Sequence, residues 1–237
     1  IDSLETIAKA KKILSITLSG PTSLLNITGL QYTNDVDVLK LIVSPYTLNL
    51  SAVSTKQIST VSADIHVVSL SVSDSSANIA TNLNALQALG DKLKGITQTG
   101  TIAVMKLTAS QVNNDAAALN KIANSYTIAV SDSSANIAKY LDGLQDQVGH
   151  IASISQSGSI SALNLTGAQY VRDQAALAKI SKSYTEIVTG LVADKATMAQ
   201  NDKHVLSFAV KDTATAISAS FDLLNGMGAK LTSIQLI

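Results

Sequence analysis

Apolar residues recur along this chain at the spacing of one helical face. Within residues 73–90, Ile79, Leu83 and Leu86 fall at i, i+4 and i+7, and most of the residues between them are polar or small. An Asp-Ser pair precedes this run and is typical of a helix N-cap. The pattern predicts a helix that ends near Gly90.

Short apolar runs follow this helix. Leu93 to Gln98 and Ile102 to Leu107 lie on either side of a Thr-Gly pair. They predict two short strands, either joined by a tight connection or placed on two sides of one coil. Strands joined through helices are expected to run parallel. We therefore predict an α/β fold with a sheet on one side and helices on the other.

Three copies of a T-x-x-Q sequence mark helix starts. They occupy residues 28–31, 108–111 and 166–169. In such a capping box the threonine oxygen accepts a hydrogen bond from the amide three residues on, and the glutamine side chain reaches back to the threonine amide. Each copy therefore predicts a helix that begins directly after its threonine.

The chain also repeats itself over longer distances. The nine residues Val72 to Ala80 recur without change at Val130 to Ala138, and a looser copy starts at Val210. The spacings are 58 and 80 residues. Their total of 138 is the more complete period, since 29 of the 99 residues in 1–99 (the first copy) are identical to their partners in 139–237 (the second copy). Such self-similarity indicates a repeat array, in which each unit buries its apolar face on its neighbours.

The longer unit reads as the shorter one plus an insert of one helix and one strand at residues 51–71. We predict one continuous α/β solenoid of short parallel strands alternating with short helices, with a 138-residue super-repeat made of 58- and 80-residue units. The units span approximately residues 1–71, 72–129, 130–209 and 210–237. Because the pattern starts within a helix, stops after a strand and has no polar caps, we expect an excerpt of a longer array.

The composition agrees with thin, closely stacked layers. Only 14% of the 237 residues are charged, against roughly 25% in typical soluble domains. Aromatic residues make up 3% and tryptophan is absent, so the core is expected to consist of Ala, Val, Leu and Ile.

Charge and cysteine content exclude several classes of function. The 17 basic and 17 acidic residues cancel, and Arg172 is the one arginine, so the chain lacks the dense cationic patch that a nucleic-acid partner needs. Polar residues interrupt each apolar stretch well before the ~20 residues of a membrane span. With no cysteine, disulfides and thiolate metal sites are excluded.

The histidines are the first candidates for chemistry. His66 and His204 occupy equivalent positions, each two residues after an aspartate, Asp64 and Asp202. A metal-ligand role is one interpretation, but on a solenoid the two rings would lie roughly 24 to 34 Å apart at ~4.8 Å per strand. A structural or solvent-facing role is therefore favoured. His150 aligns with lysines of other units and predicts a cationic or long polar side chain near a helix end.

Three aspartates recur at one helical position, Asp35, Asp115 and Asp173. They are either a ladder of oxygen ligands for weak calcium binding or side chains that are solvated or paired with lysine. Single carboxylates one or more rungs apart make a poor site, which favours the second interpretation.

Three tyrosines, Tyr46, Tyr126 and Tyr184, each open a predicted strand before a threonine. They are either an aromatic ladder for sugar stacking or half-buried side chains with the hydroxyl in water. The second interpretation is the more common one for a tyrosine at the start of a strand.

The sequons at Asn26 and Asn164 place their threonines at the predicted helix caps. We interpret both sequons as accidental.

Catalytic motifs are missing from the sequence. The chain has no G-x-G-x-x-G, no P-loop and no H-E-x-x-H, and only Arg172 beside Asp173 approaches the clustered charges that a polysaccharide-cleaving β-helix enzyme would need. We predict no enzymatic activity, no catalytic residue, no cofactor and no metal site.

The alternation of V-S-D-S-S-A-N-I-A with L-T-x-x-Q and S-Y-T resembles repeat regions of giant bacterial secreted or cell-surface proteins. These are adhesin-like or surface-layer-like chains, exported by type I systems together with RTX repeats. The resemblance implies an extracellular or cell-surface location. The glycine-aspartate nonapeptides of RTX segments are missing here, so calcium binding is not implied.

Two functional hypotheses follow. The leading one is a non-enzymatic structural module of a large surface protein, a stalk, coat, adhesin or filament, whose partners are neighbouring repeats or copies of itself end to end. The alternative is a recognition module that binds a glycan or a protein through the strand face.

Overall fold

Short parallel strands alternate with short helices in the computed structural model, which describes residues 6, 8–9 and 12–237. The strands are β1 (Ser23–Thr28), β2 (Tyr46–Val53), β3 (Val67–Asp74), β4 (Leu93–Gln98), β5 (Met105–Leu107), β6 (Ile128–Asp132), β7 (Ile151–Gln156), β8 (Leu163–Thr166), β9 (Glu186–Leu191), β10 (Val205–Asp212) and β11 (Leu231–Leu236). The predicted α/β class is confirmed.

The helices are four to six residues long. They are α1 (Gly29–Asn34), α2 (Val36–Lys40), α3 (Ile58–Ala63), α4 (Ser76–Thr81), α5 (Leu83–Ala88), α6 (Ala109–Asn114), α7 (Ala116–Leu119), α8 (Ser134–Lys139), α9 (Leu141–Asp146), α10 (Gly167–Arg172), α11 (Gln174–Leu177), α12 (Ala196–Asn201), α13 (Ala214–Ala219) and α14 (Phe221–Asn225). Single 3₁₀ turns occur at Thr55–Gln57, Gly90–Lys92 and Ala193–Lys195.

The chain forms two interleaved units. The first unit comprises Ile1–Met105 and Asp115–Tyr126, and the second comprises Lys106–Asn114 and Thr127–Ile237. Consecutive helices α6 and α7 therefore belong to different units.

In the first unit, β1, β2, β3 and β4 form one sheet in chain order, and each neighbouring pair is parallel. A parallel bridge between Ile96 and Ile122 adds one further pairing next to β4. Strands that pair in chain order through helical connections are the arrangement expected from the sequence.

In the second unit, β5, β6 and β7 form a three-stranded sheet, and β8, β9, β10 and β11 form a four-stranded sheet. The pairs β6–β7, β8–β9, β9–β10 and β10–β11 are parallel. A parallel bridge joins Ile154 of β7 to Ile180. The starts of α1 and α10, of β3 and β10, and of β4 and β11 are each 138 residues apart.

The helix predicted up to Gly90 is interrupted. Its N-cap is Ser75, whose hydroxyl accepts from the Asn78 amide, and Asn82 at φ −104°, ψ 15° separates α4 from α5. Backbone at such angles lies between the helical and extended regions. The apolar face is as predicted, since Ile79 and Leu83 are fully buried.

The strand predicted from Ile102 is shorter than expected, because β5 begins only at Met105. It also lies in a different sheet from β4, so the two strands form no hairpin. Between them Gly100 adopts φ +70°, a left-handed conformation that glycine tolerates without a steric penalty.

Aliphatic side chains fill the interior, as the composition indicates. Leu48, Leu70, Leu86, Ile96 and Leu119 are all fully buried. Tyr170 and Phe208 are the largest fully buried side chains.

Candidate functional site

The aspartate of the repeated V-S-D sequence closes a hydrogen-bond network at the end of a strand. In the first unit, Oδ1 of Asp74 accepts from the Ser75 amide at 2.8 Å and from Asn78 Nδ2 at 2.7 Å. Its Oδ2 accepts from the amide and hydroxyl of Thr55 at 2.9 and 2.8 Å. Burial raises the pKa of Asp74, but these hydrogen bonds outweigh it and lower the pKa to about 2.

The second unit uses the same device twice. Asp132 accepts from the Ser133 amide and from Asn136 Nδ2 at 2.8 Å each, and from the Ala109 amide at 3.1 Å. Asp212 accepts from the amides of Thr213 at 2.8 Å and Ala193 at 3.0 Å. We call Asp74, Asp132 and Asp212 the strand-end aspartates. Each ties the start of its own helix to the first residue of an earlier helical segment.

Glutamine side chains connect helices in the same way. The Gln87 carbonyl accepts from the Ala118 amide at 2.8 Å, and the Gln145 carbonyl accepts from the Ala176 amide at 2.9 Å. Both bonds span 31 residues. Each satisfies an amide near the start of a short helix, a group that has no partner within that helix.

The three capping boxes are confirmed. The Thr28, Thr108 and Thr166 hydroxyls accept from the amides of Gln31, Gln111 and Gln169 at 3.1 to 3.2 Å. The threonine amides donate back to the glutamine Oε1 atoms at 3.0 to 3.1 Å. The sequon threonines at 28 and 166 are thus committed to helix caps.

A cluster of tyrosine, aspartate and histidine follows in the first copy. Oδ2 of Asp64 accepts from the Tyr32 hydroxyl at 2.9 Å. Its Oδ1 lies 2.8 Å from the His66 amide and 2.9 Å from His66 Nδ1. The His66 ring stacks on Tyr46 with centroids 4.3 Å apart and an interplanar angle of 5°.

Hydrogen bonding keeps the carboxylate of this cluster ionised. Burial raises the pKa of Asp64, but the bonds from the His66 amide, the Tyr32 hydroxyl and the His66 ring hold it below its usual value. Burial and the same carboxylate raise the pKa of Tyr32 to about 12. A carboxylate can only accept, so His66 Nδ1 carries the proton of that bond.

These side chains line an open cavity of about 320 Å³ in the first unit. We call it the Tyr32–His66 pocket. Besides the cluster it is lined by Val36, Leu39, Lys40 and Ile42, from α2 and the residues that follow it. The pocket combines an aliphatic side, a stacked pair of rings, one carboxylate and one ammonium group.

The second copy repeats the cluster with two differences. The Tyr170 hydroxyl donates to Asp202 at 3.1 Å, and the Tyr184 and His204 rings stack at 4.1 Å. Here, however, Tyr170 is fully buried, whereas Tyr32 is half-buried. His204 Nδ1 lies 3.1 Å from the Tyr184 carbonyl oxygen instead of contacting the aspartate.

Glu186 is the second difference. It is 1% exposed, and no hydrogen-bond partner is seen for its Oε2. Burial, followed by the neighbouring Asp202, raises its pKa to about 7, against the opposing hydrogen bond with Tyr184. The pattern of apolar residues did not reveal this buried acid, although the alignment of the copies places Glu186 opposite Leu48.

The tyrosine ladder is not what the structure contains. Tyr46 and Tyr184 each place one face against a histidine ring. Tyr126 is 8% exposed, and burial raises its pKa. The half-buried interpretation thus holds for Tyr46 and Tyr184 but is wrong for Tyr126.

The expectation of solvated or lysine-paired aspartates is also wrong. Asp35, Asp115 and Asp173 are at most 5% exposed and occupy the junctions between paired helices. Burial raises the pKa of Asp115, and burial with the neighbouring Asp142 raises that of Asp173 to about 6. Asp173 bonds to Arg172 Nε at 2.7 Å.

Other candidate positions are ordinary in their surroundings. His150 is half-buried between α9 and β7. Asn26 is exposed and its Oδ1 accepts from Asn49 at 2.8 Å, and Asn164 is exposed on β8. Among the described residues, no group of three or more acidic or histidine side chains is arranged to hold a metal ion.

Comparison with known proteins found no matching family model, curated protein or solved structure. Within the described part of the chain, no helix has both the length and the apolar character needed to cross a bilayer.

Proposed function

We propose that this chain is a non-enzymatic structural module, a solenoid segment of a stalk, coat, adhesin or filament built from 58- and 80-residue units with a 138-residue super-repeat. The observation that carries the proposal is the use made of the strand-end aspartates. Each of these carboxylates binds the start of its own helix and an amide 19 to 23 residues earlier. The polar groups that recur most faithfully in the sequence thus serve contacts between successive segments.

The helix-to-helix glutamine bonds support the same proposal. The partners of Gln87 and Gln145 lie in the next helical pair along the chain. A repeat whose satisfied polar groups all point to the neighbouring segment is suited to extension by adding segments. Such a design serves length and rigidity, which are what a stalk or filament needs.

Adding repeats to the chain tests the proposal. Variants would carry one or two extra copies of residues 72–209, and their maximum dimension would be measured by small-angle scattering. One 138-residue period contains about five strand positions, so each added copy should lengthen the particle by about 24 Å at ~4.8 Å per strand. A compact body, whose radius grows only as about the 0.38 power of length, would overturn the proposal.

For the location we propose the extracellular space or the cell surface. Its support is the resemblance of the V-S-D-S-S-A-N-I-A and L-T-x-x-Q sequences to giant secreted bacterial proteins. Surface proteolysis of intact cells, with detection by an antibody against this segment, tests it. Protection of the segment until the cells are lysed would contradict the proposal.

The recognition hypothesis keeps one specific observation in its favour, which is the Tyr32–His66 pocket. That pocket lies beside α1 and α2 and not on the strand face, so the expected surface is a different one.

A further inference from the structure

We propose that the Tyr32–His66 pocket binds one neutral sugar ring. This inference goes beyond the structural role, because it assigns a ligand to a site that segment stacking does not require. The first argument is size. At about 320 Å³ the cavity is at the lower end of ligand pockets, which run from roughly 300 to 1,000 Å³, and it suits a single ring better than a long chain.

The second argument is the apolar part of the lining. Leu39 and Ile42 form an aliphatic side, and Tyr46 with His66 forms a rigid two-ring side. A pyranose ring has C–H groups that pack against such surfaces, and aromatic side chains with a polar end suit a ligand that is apolar on one face and wet on the other. The stack fixes both rings before a ligand arrives, which lowers the entropy cost of binding.

The third argument is the alternation of acceptors and donors. Oδ2 of Asp64 accepts one bond, from Tyr32, and keeps further acceptor capacity. The Lys40 ammonium group can only donate, and the Tyr46 hydroxyl can do both. Neighbouring sugar hydroxyls each need one donor and one acceptor, and this lining offers both within one cavity.

Charge decides in favour of a neutral ligand. Asp64 is ionised, since its pKa is lowered, and Lys40 supplies the opposite charge. A neutral polyhydroxylated molecule meets both groups without leaving an uncompensated buried charge. An acidic sugar would place its carboxylate near Asp64, and like charges at such a distance repel.

The second copy supplies a matched control within the same chain. It keeps the tyrosines, the aspartate and the histidine, but Val36 is replaced by Gln174 and Lys40 by Ala178. Gln174 donates to the Tyr170 carbonyl oxygen, and Tyr170 is fully buried. We therefore assign sugar binding to the first copy only.

The test is a titration of the ¹⁵N-labelled 237-residue chain with glucose, galactose, mannose and N-acetylglucosamine, followed by NMR. At least one sugar should shift the amide signals of residues near Tyr32, Lys40 and His66, with a dissociation constant on the order of 1 mM. The signals near Tyr170 and His204 should not move.

The decisive variant is the double substitution Val36→Gln and Lys40→Ala, which installs the residues of the second copy. Both positions are exposed, so the fold should persist, and the unchanged spectrum of the second copy verifies this. Affinity should fall at least about tenfold. Equal binding by this variant, or no shift with any of the four sugars up to roughly 50 mM, overturns the proposal. Stronger binding of glucuronate than of glucose overturns the choice of a neutral ligand.

Discussion

Glu186 occupies the backbone position in the second copy that Leu48 occupies in the first. The Leu48 amide donates to the His66 carbonyl oxygen at 2.7 Å, and the Glu186 amide donates to the His204 carbonyl oxygen at 2.8 Å. Both side chains are at most 1% exposed. The same site in the fold therefore holds an aliphatic group once and a titratable group once.

Replacing Glu186 with leucine should stabilise the protein at neutral and alkaline pH. In the folded state the pKa of Glu186 is raised from 4.5 to about 7, so the folded chain holds this proton more tightly than the unfolded chain. Its contribution is fully present below pH 4.5 and is lost as the pH rises through about 7. At pH 8 the gain for Glu186→Leu should reach up to about 3 kcal/mol.

Urea unfolding at pH 5 and pH 8 measures this effect. The loss of stability between the two pH values should be smaller in Glu186→Leu than in the unmodified chain, and Glu186→Gln separates the charge from the shape of the side chain. Asp173, whose pKa is also raised, is present in every variant, so the difference isolates Glu186. An identical pH dependence in all three proteins would show that Glu186 does not titrate in this range.

Truncating a strand-end aspartate should destabilise far more than changing its exposed neighbour. Asp132→Ala removes the acceptor for the amides of Ala109 and Ser133 and for Asn136. The Ala109 amide lies in a buried bond, and a buried donor without a partner costs about 1 to 3 kcal/mol. We expect a loss of about 3 kcal/mol in the free energy of unfolding, measured by urea denaturation at pH 7.

Ser131→Ala is the matched control for that variant. Ser131 is exposed on the same strand, and such surface changes stay within about 0.5 kcal/mol. A comparable small effect of Asp132→Ala would mean that water replaces the carboxylate, and would remove the main support for segment-to-segment bonding.

Ala52 and Gly190 offer a reciprocal test of backbone strain. They are equivalent positions in the two copies, with φ +51° at Ala52 and +69° at Gly190. Left-handed backbone costs a residue with a Cβ atom about 1–2 kcal/mol, and a Cβ added at Gly190 would meet no atom within 4 Å. Ala52→Gly should therefore stabilise the chain by about 0.5 to 1 kcal/mol, and Gly190→Ala should destabilise it by about 1 kcal/mol.

Differential scanning calorimetry of both variants reads these changes as opposite shifts in Tm. Gly95→Ala serves as a control, since Gly95 has no positive φ and open space around its Cα. Shifts of the same sign for Ala52→Gly and Gly190→Ala would indicate that the backbone at this position relaxes when the residue changes.

Local sequence patterns accounted for the features that act within one turn of the chain. The capping boxes at Thr28, Thr108 and Thr166 were predicted because an N-cap oxygen and an amide three residues later meet in any helix. The buried face formed by Ile79 and Leu83 was predicted because helical periodicity alone selects it. Parallel pairing followed from the helical connections.

Tertiary structure decided the contacts between residues that are distant along the chain. The bonds from Tyr32 to Asp64 and from Ala109 to Asp132 join residues 32 and 23 positions apart, and their existence depends on how successive segments pack. The burial of Asp173 and Glu186 could not be read from composition either. An acidic side chain usually marks the surface because of its desolvation cost, and only the surrounding side chains determine whether that cost is incurred.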